Sequence, residues 1–204
     1  ERCIGCKSCE VACKQEHGLG PGEYRNKVVW LGDPTRPALD FLTVSCQHCD
    51  RPACLRACPV NPKAITKDPA TGIVRVDEDR CTGCGECVIA CPYGAMGYDA
   101  VDHHAVKCDL CTDRRADGQP TTACASVCPG HAITFGDRTE LLAAAEAEGR
   151  TARDHDHFLL APANIYLDRL PRADGAHPDG FANGGDVLEG RQPPAFMDAE
   201  SAKS

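Results

Sequence analysis

Sixteen of the 204 residues are cysteine, and each falls in one of four groups of four. The first is Cys3, Cys6, Cys9 and Cys13, and the second is Cys46, Cys49, Cys54 and Cys58. The third is Cys81, Cys84, Cys87 and Cys91, and the fourth is Cys108, Cys111, Cys124 and Cys128. Thiols in such numbers form disulfides or bind soft metals, and their spacing separates these chemistries.

The first and third groups read C-x2-C-x2-C-x3-C, the bacterial ferredoxin spacing, and Pro92 completes the C-P ending of the third. Three thiolates two residues apart can curl round one face of a four-iron cubane, while the fourth lies beyond a short helical turn and points elsewhere. Residues 87–91 are expected to form such a turn, stopped by Pro92. The second group reads C-x2-C-x4-C-x3-C and the fourth C-x2-C-x12-C-x3-C, and both also end in Cys-Pro, at Pro59 and Pro129. A disulfide framework gives no reason for this repeated grammar, and structural zinc uses paired C-x2-C knuckles rather than three consecutive steps. A three-iron cluster at one group stays open, and with Cys at all sixteen positions nothing in the sequence favours it.

The repeat extends beyond the cysteines. Cys91-Pro92-Tyr93-Gly94-Ala95-Met96 aligns with Cys128-Pro129-Gly130-His131-Ala132-Ile133, and Cys58-Pro59 reaches Ala64-Ile65 through a longer loop. Residues 64–67 and 72–77 read as two short strands around a turn at 68–72. Val28 to Leu31, Phe41 to Val44 and Ile133 to Phe135 are further candidate strands. The expected fold is α+β: two pseudo-symmetric two-cluster ferredoxin-like modules, one nested in the other, followed by a helix and an extended tail.

The inner module covers about 45–98 and the outer one the rest of 1–137. A helix and connecting segment occupy 138–170, and an extended partner-binding tail runs over 171–204. In two-cluster ferredoxins the fourth cysteine of each run ligates the other cluster. Applied here, the inner module binds one [4Fe–4S] cluster with Cys46, Cys49, Cys54 and Cys91, and another with Cys81, Cys84, Cys87 and Cys58. The outer module uses Cys3, Cys6, Cys9 and Cys128, then Cys108, Cys111, Cys124 and Cys13, making four clusters in all.

Composition agrees with a fold held by metal. Aromatic residues make up only 5% of the sequence, too few for a large conventional core, and the formal charge of −8 makes nucleic acid an improbable partner. No stretch approaches the roughly 18 to 20 continuous apolar residues of a membrane-spanning helix. A membrane-associated complex or a cytoplasmic location is expected.

No nucleophile elbow, phosphate-binding glycine loop or dinucleotide fingerprint is present, so no catalytic residue is expected. Asp154-His155-Asp156-His157 reads as a solvated polar turn, and His48, inside the second group, as a residue that bonds a cluster sulfur or packs beside it. Asp137 and Glu140 make a capping pair for an Ala- and Leu-rich helix ending near Gly149. From Pro171 onward the sequence is rich in Pro and Gly with scattered apolar anchors, the pattern of an arm that orders along a partner.

Cys3-Ile4-Gly5-Cys6-Lys7-Ser8-Cys9, Cys46-Gln47-His48-Cys49-Asp50-Arg51-Pro52-Ala53-Cys54 and Lys107-Cys108-Asp109-Leu110-Cys111 together resemble the iron–sulfur beta subunits of the dimethyl sulfoxide reductase family of molybdenum and tungsten enzymes. The resemblance covers roughly residues 1 to 137. It implies a non-catalytic electron-transfer subunit that relays electrons between a large molybdopterin catalytic subunit and a quinone-linked membrane subunit or another acceptor. By the same resemblance the outer module faces the catalytic subunit. Respiratory nitrate reductases have Trp at the position of Cys84, so Cys84 points to the dimethyl sulfoxide, polysulfide, thiosulfate or formate dehydrogenase branches. The alternative is an independent polyferredoxin serving a hydrogenase or aldehyde oxidoreductase.

Overall fold

The computed structural model describes residues 2–32, 39–153 and 159–167. His155, His157 and the tail expected over 171–204 lie outside these residues. Within them, short helices alternate with two-stranded antiparallel sheets, so helix and strand are mixed as expected.

Helix α1 (Ser8–Glu16) carries the end of the first cysteine group, and a hairpin of β1 (Asn26–Gly32) and β2 (Leu39–Ser45) follows it. The second group leads into α2 (Ala53–Ala57) and the hairpin β3 (Ile65–Lys67) and β4 (Val74–Val76). The third leads into α3 (Glu86–Ala90) and the hairpin β5 (Met96–Asp99) and β6 (His104–Lys107). The fourth spans α4 (Thr112–Ala116) and α5 (Ala123–Ser126), after which α6 (Arg138–Ala147) and the pair β7 (Ala152–Arg153) and β8 (Tyr166–Leu167) complete the described residues.

Proline sets where two of the cysteine helices stop. Cys58 and Cys91 end α2 and α3 in extended conformation, at φ −61°, ψ 118° and φ −82°, ψ 107°. The ring of the following Pro59 or Pro92 clashes with a helical residue before it, so the last cysteine of each group is turned out of its helix. Helix α1 has no proline after Cys13 and continues to Glu16.

Packing is non-sequential. Helix α1 lies against α5, α2 against α3, and β4 against β6. Two small cores result: Leu42, Val44, Tyr93 and Leu160 surround Cys49, while Ala64, Ile65, Val74, Met96 and Ala105 surround Cys58 and Cys87. Burying each larger apolar side chain contributes about 1.5–3 kcal/mol, so the thiols replace a good part of an ordinary core. Polar side chains tie α1 to the first hairpin: Glu10 Oε1 accepts the Val28 N–H at 2.5 Å, and Asn26 Nδ2 donates to the Cys9 carbonyl at 3.2 Å.

The expected strand at Ile133–Phe135 is absent. Among the described residues no strand takes this segment up: β1 and β2 pair with each other and with nothing else. Phe135 instead receives the Arg115 guanidinium 4.7 Å above its ring. The helix that follows forms as read from the sequence. The Asp137 carboxylate accepts the N–H groups of Thr139 (2.8 Å) and Glu140 (3.2 Å). Gly149, at φ +69°, closes the other end with the paired bonds Gly149 N–H to Glu146 and Arg150 N–H to Ala145. None of the helices among the described residues is long and apolar enough to cross a membrane.

Candidate metal centre

The C-x2-C loops that open the four groups share one backbone feature. The residue two positions after the first cysteine has positive φ in each: Gly5 (69°), His48 (45°), Gly83 (69°) and Leu110 (59°). That left-handed residue reverses the backbone, and its N–H can then face the sulfur behind it. His48 N–H lies 3.5 Å from Cys46 Sγ and Leu110 N–H 3.4 Å from Cys108 Sγ. Glycine adopts this conformation freely, whereas an L side chain is strained by roughly 1–2 kcal/mol. The second and fourth loops therefore spend folding energy to present a sulfur. At Gly83 a side chain is excluded for a second reason, because a Cβ would run into the His103 carbonyl oxygen.

No cysteine is in a disulfide. Only Cys6 and Cys84 are exposed, and the other thiols are buried or partly buried. Burial, and then the thiols around them, push several of these up from their ordinary value of 9.0. Cys13 is pushed up to about 12 by burial, Cys124 and Cys111. Cys49 reaches about 12 through burial, Cys46, Cys91 and Cys54, and Cys54 about 11 through burial, Cys46 and Cys91. Cys87 reaches about 12 through burial, Cys81, Cys54 and Cys84. A small cleft lined by Cys58, Cys81, Cys84 and Cys87 lies beside it.

These mutual effects sort the sulfurs into neighbourhoods. Cys46, Cys49, Cys54 and Cys91 form one and Cys58, Cys81, Cys84 and Cys87 another. Cys13 lies with Cys111 and Cys124, and Cys108 also feels Cys124. Cys9 feels Cys124 and Cys3. Cys128 is joined by hydrogen bond only to the Ala132 N–H, 3.2 Å away, although the turn after it packs Gly130 against the Arg2 carbonyl beside Cys3. Neighbourhoods also touch in sequence: Cys9 feels Cys124, Cys108 feels Cys46, and Cys87 feels Cys54.

The donor set suits iron–sulfur clusters. It is made of soft thiols alone, packed closely together, with backbone N–H groups aimed at sulfur. His48 meets a cysteine sulfur, as expected, through its main-chain N–H. Its ring is buried, and Nδ1 accepts the Val74 N–H at 3.0 Å rather than bonding a cysteine sulfur. Burial, followed by the charges of Lys107 and Lys67, drives its pKa down to about 2, so the imidazole is neutral.

Two features were invisible in the sequence. His17 Nε2 stands 3.7 Å from Cys111 Sγ and 3.6 Å from Asp109, which Arg25 also holds at 3.1 Å. The stretch 159–167 forms a strap over the second cysteine loop: Asp50 N–H bonds Ala161 (2.9 Å), Arg51 N–H bonds Leu160 (3.1 Å) and Ala163 N–H bonds Gln47 (2.7 Å). These are main-chain bonds, which leave no mark on residue type.

Residues 37–138 match the family of 4Fe-4S dicluster domains, and 1–16 match a 4Fe-4S binding domain. The probable anaerobic dimethyl sulfoxide reductase chain YnfG of Escherichia coli (strain K12) is 41% identical over 150 residues, covering 69% of this chain and 71% of that one. The thiosulfate reductase electron transfer subunit PhsB of Salmonella typhi is 40% identical over 147 residues, 69% and 75% of the two chains. The B subunit of the polysulfide reductase of Wolinella succinogenes is 36% identical over 143 residues, 68% and 73%. This chain therefore belongs to the iron–sulfur electron-transfer subunits of the dimethyl sulfoxide reductase family. Members of this family of subunits carry electrons and are not the catalytic chains.

Proposed function

We propose that this subunit holds four [4Fe–4S] clusters in a row and relays electrons between a molybdopterin catalytic subunit and a quinone-linked membrane subunit or other acceptor. The observation that carries this is the pairing of helices, α1 with α5 and α2 with α3, which sets thiols of the first group beside the fourth and of the second beside the third. That pairing favours a nested arrangement, an inner module of about 45–98 within an outer module filling the rest of 1–137. The ligand sets are Cys3, Cys6, Cys9 and Cys128; Cys13, Cys108, Cys111 and Cys124; Cys46, Cys49, Cys54 and Cys91; and Cys58, Cys81, Cys84 and Cys87.

Each cluster, when bound, accepts and releases one electron, and the protein supplies the spacing, the burial and the hydrogen bonds to sulfur. Electrons enter and leave beside Cys6 and Cys84. Apolar side chains stand exposed in the same segments, Ile4 and Val11 near the first and Ile89 near the second, as a partner contact requires. The similarity to electron-transfer subunits of reductases supports a catalytic partner, and the segment 171–204 is its proposed docking arm.

Anaerobic purification from the native source tests the reading, with mass spectrometry of what co-purifies and assay of iron and acid-labile sulfide. A large pterin-binding subunit in equal amount and about four irons per cysteine group are expected. Recovery of this subunit alone at native abundance would instead favour an independent polyferredoxin.

A further inference from the structure

Lys107 closes β6, directly before the fourth cysteine group, and is 2% exposed. Its Nζ donates to the carbonyl oxygens of Val74 and Cys108, the latter at 2.6 Å, and no carboxylate among the described residues forms an ion pair with it. An ammonium removed from water costs several kcal/mol unless negative charge lies close by. Two carbonyl dipoles answer only part of that cost.

The remaining negative charge is that of the sulfurs. The two bonds of Lys107 set it between two cysteine loops: Cys108 opens the fourth, and the N–H of Val74 is held by the ring of His48, which lies between Cys46 and Cys49 in the second. Strands β4 and β6, which carry Val74 and Lys107, also pack against each other. One buried cation thus stands at the step where an electron passes between modules.

We infer that Lys107 is a tuning residue for that step, its single ammonium holding up together the reduction potentials of the clusters bound by the Cys108 set and the Cys54 set. This rests on the four-cluster reading above. A cubane held by four thiolates is an anion that becomes more negative on reduction, so a nearby cation favours the reduced form. Because the charge is shared, both potentials move together, and the electron meets no large rise or drop between the modules. The clusters at the two ends do not share it.

The test is an EPR-monitored redox titration of the intact complex carrying Lys107→Gln, which keeps a donor for the carbonyls and removes the charge, beside Lys107→Arg, which keeps the charge. Iron and sulfide content of the wild type is measured first, and fewer than four cubanes there refutes the cluster reading and not the role of Lys107. With four present, Lys107→Gln is expected to lower two of the four potentials, each by about a tenfold change in the reduced-to-oxidised ratio, about 59 mV for one electron. The other two stay in place, and Lys107→Arg restores the wild-type pattern. Four unmoved potentials in Lys107→Gln overturn the inference, as does a shift of one cluster alone. If Lys107→Gln loses clusters, Lys107→Met is titrated in its place with the same expectation. Loss of clusters in both neutral variants, with normal assembly in Lys107→Arg, makes Lys107 a folding residue and also overturns it.

Discussion

His48 and Lys107 hold opposite sides of one residue. The His48 ring accepts the Val74 N–H and the Lys107 ammonium donates to the Val74 carbonyl. Val74 is fully buried in β4, so a loop of the second cysteine group and the strand leading to the fourth are joined through a single backbone position. His48→Ala leaves the Val74 N–H unpaired in the interior, at a cost of about 1–3 kcal/mol. Urea-induced bleaching of the visible cluster absorption is expected at a lower midpoint in this variant, and an unchanged midpoint would show the bond to be dispensable.

The left-handed residues of the cysteine loops give opposite expectations for two substitutions. Leu110→Gly removes strain at φ 59° and is expected to keep the full iron content, whereas Leu110→Val adds a β-branched side chain where the backbone least accepts one. Gly83→Ala introduces both strain and a collision with the His103 carbonyl, and is expected to lose the cluster bound by Cys81, Cys84, Cys87 and Cys58. Iron content per protein molecule separates the three variants.

Cys84 is one of two exposed cysteines, and in the proposed row of clusters it lies at one end. Cys84→Trp offers no thiolate and is expected to turn one cubane into a three-iron cluster while the others persist. EPR of the oxidised protein reports the new signal, and a spectrum identical to wild type would remove Cys84 from the ligands.

Two hairpin turns use an aspartate in the same way. Asp68 accepts the N–H groups of Ala70 and Thr71, and Asp99 those of Asp102 and Val101, and these bonds hold both carboxyls below their ordinary 3.8. A carboxyl lowered on folding adds stability that is complete above the unfolded value and disappears as pH falls through the folded one. The difference in amide exchange at Ala70 and Thr71 between wild type and Asp68→Asn is therefore expected to be constant from about pH 7 to 5 and to shrink only below about 3.8. A difference that shrinks already near pH 6 would point to another group.

The cysteine helices, the hairpin at 65–76 and the cap at Asp137 were legible because each depends on residue types at fixed spacing: Cys-Pro endings, alternating valines and a carboxylate before a helix. Ile133–Phe135 resembled a strand by the same logic, but a strand exists only when a neighbouring strand bonds it, and none of the two-stranded sheets takes this segment up. Strands β5 and β6 escaped notice because Gly97 and the polar run at 102–104 interrupt any alternation, and they are held by packing on β4. His48 and Leu110 gave no sign of left-handed backbone, since neither is glycine. The cation at Lys107 reads in sequence as an ordinary surface lysine, and only the fold puts it inside.

The partnership of α1 with α5 has a consequence for synthesis. When α1 emerges from the ribosome, the helix it packs against lies roughly a hundred residues downstream, about 5–20 s away at ordinary translation speeds. Helices α2 and α3 are separated by far fewer residues and can close on each other in the meantime. The nascent protein therefore matures from its middle outward, and its first cysteines are the last to find their companions.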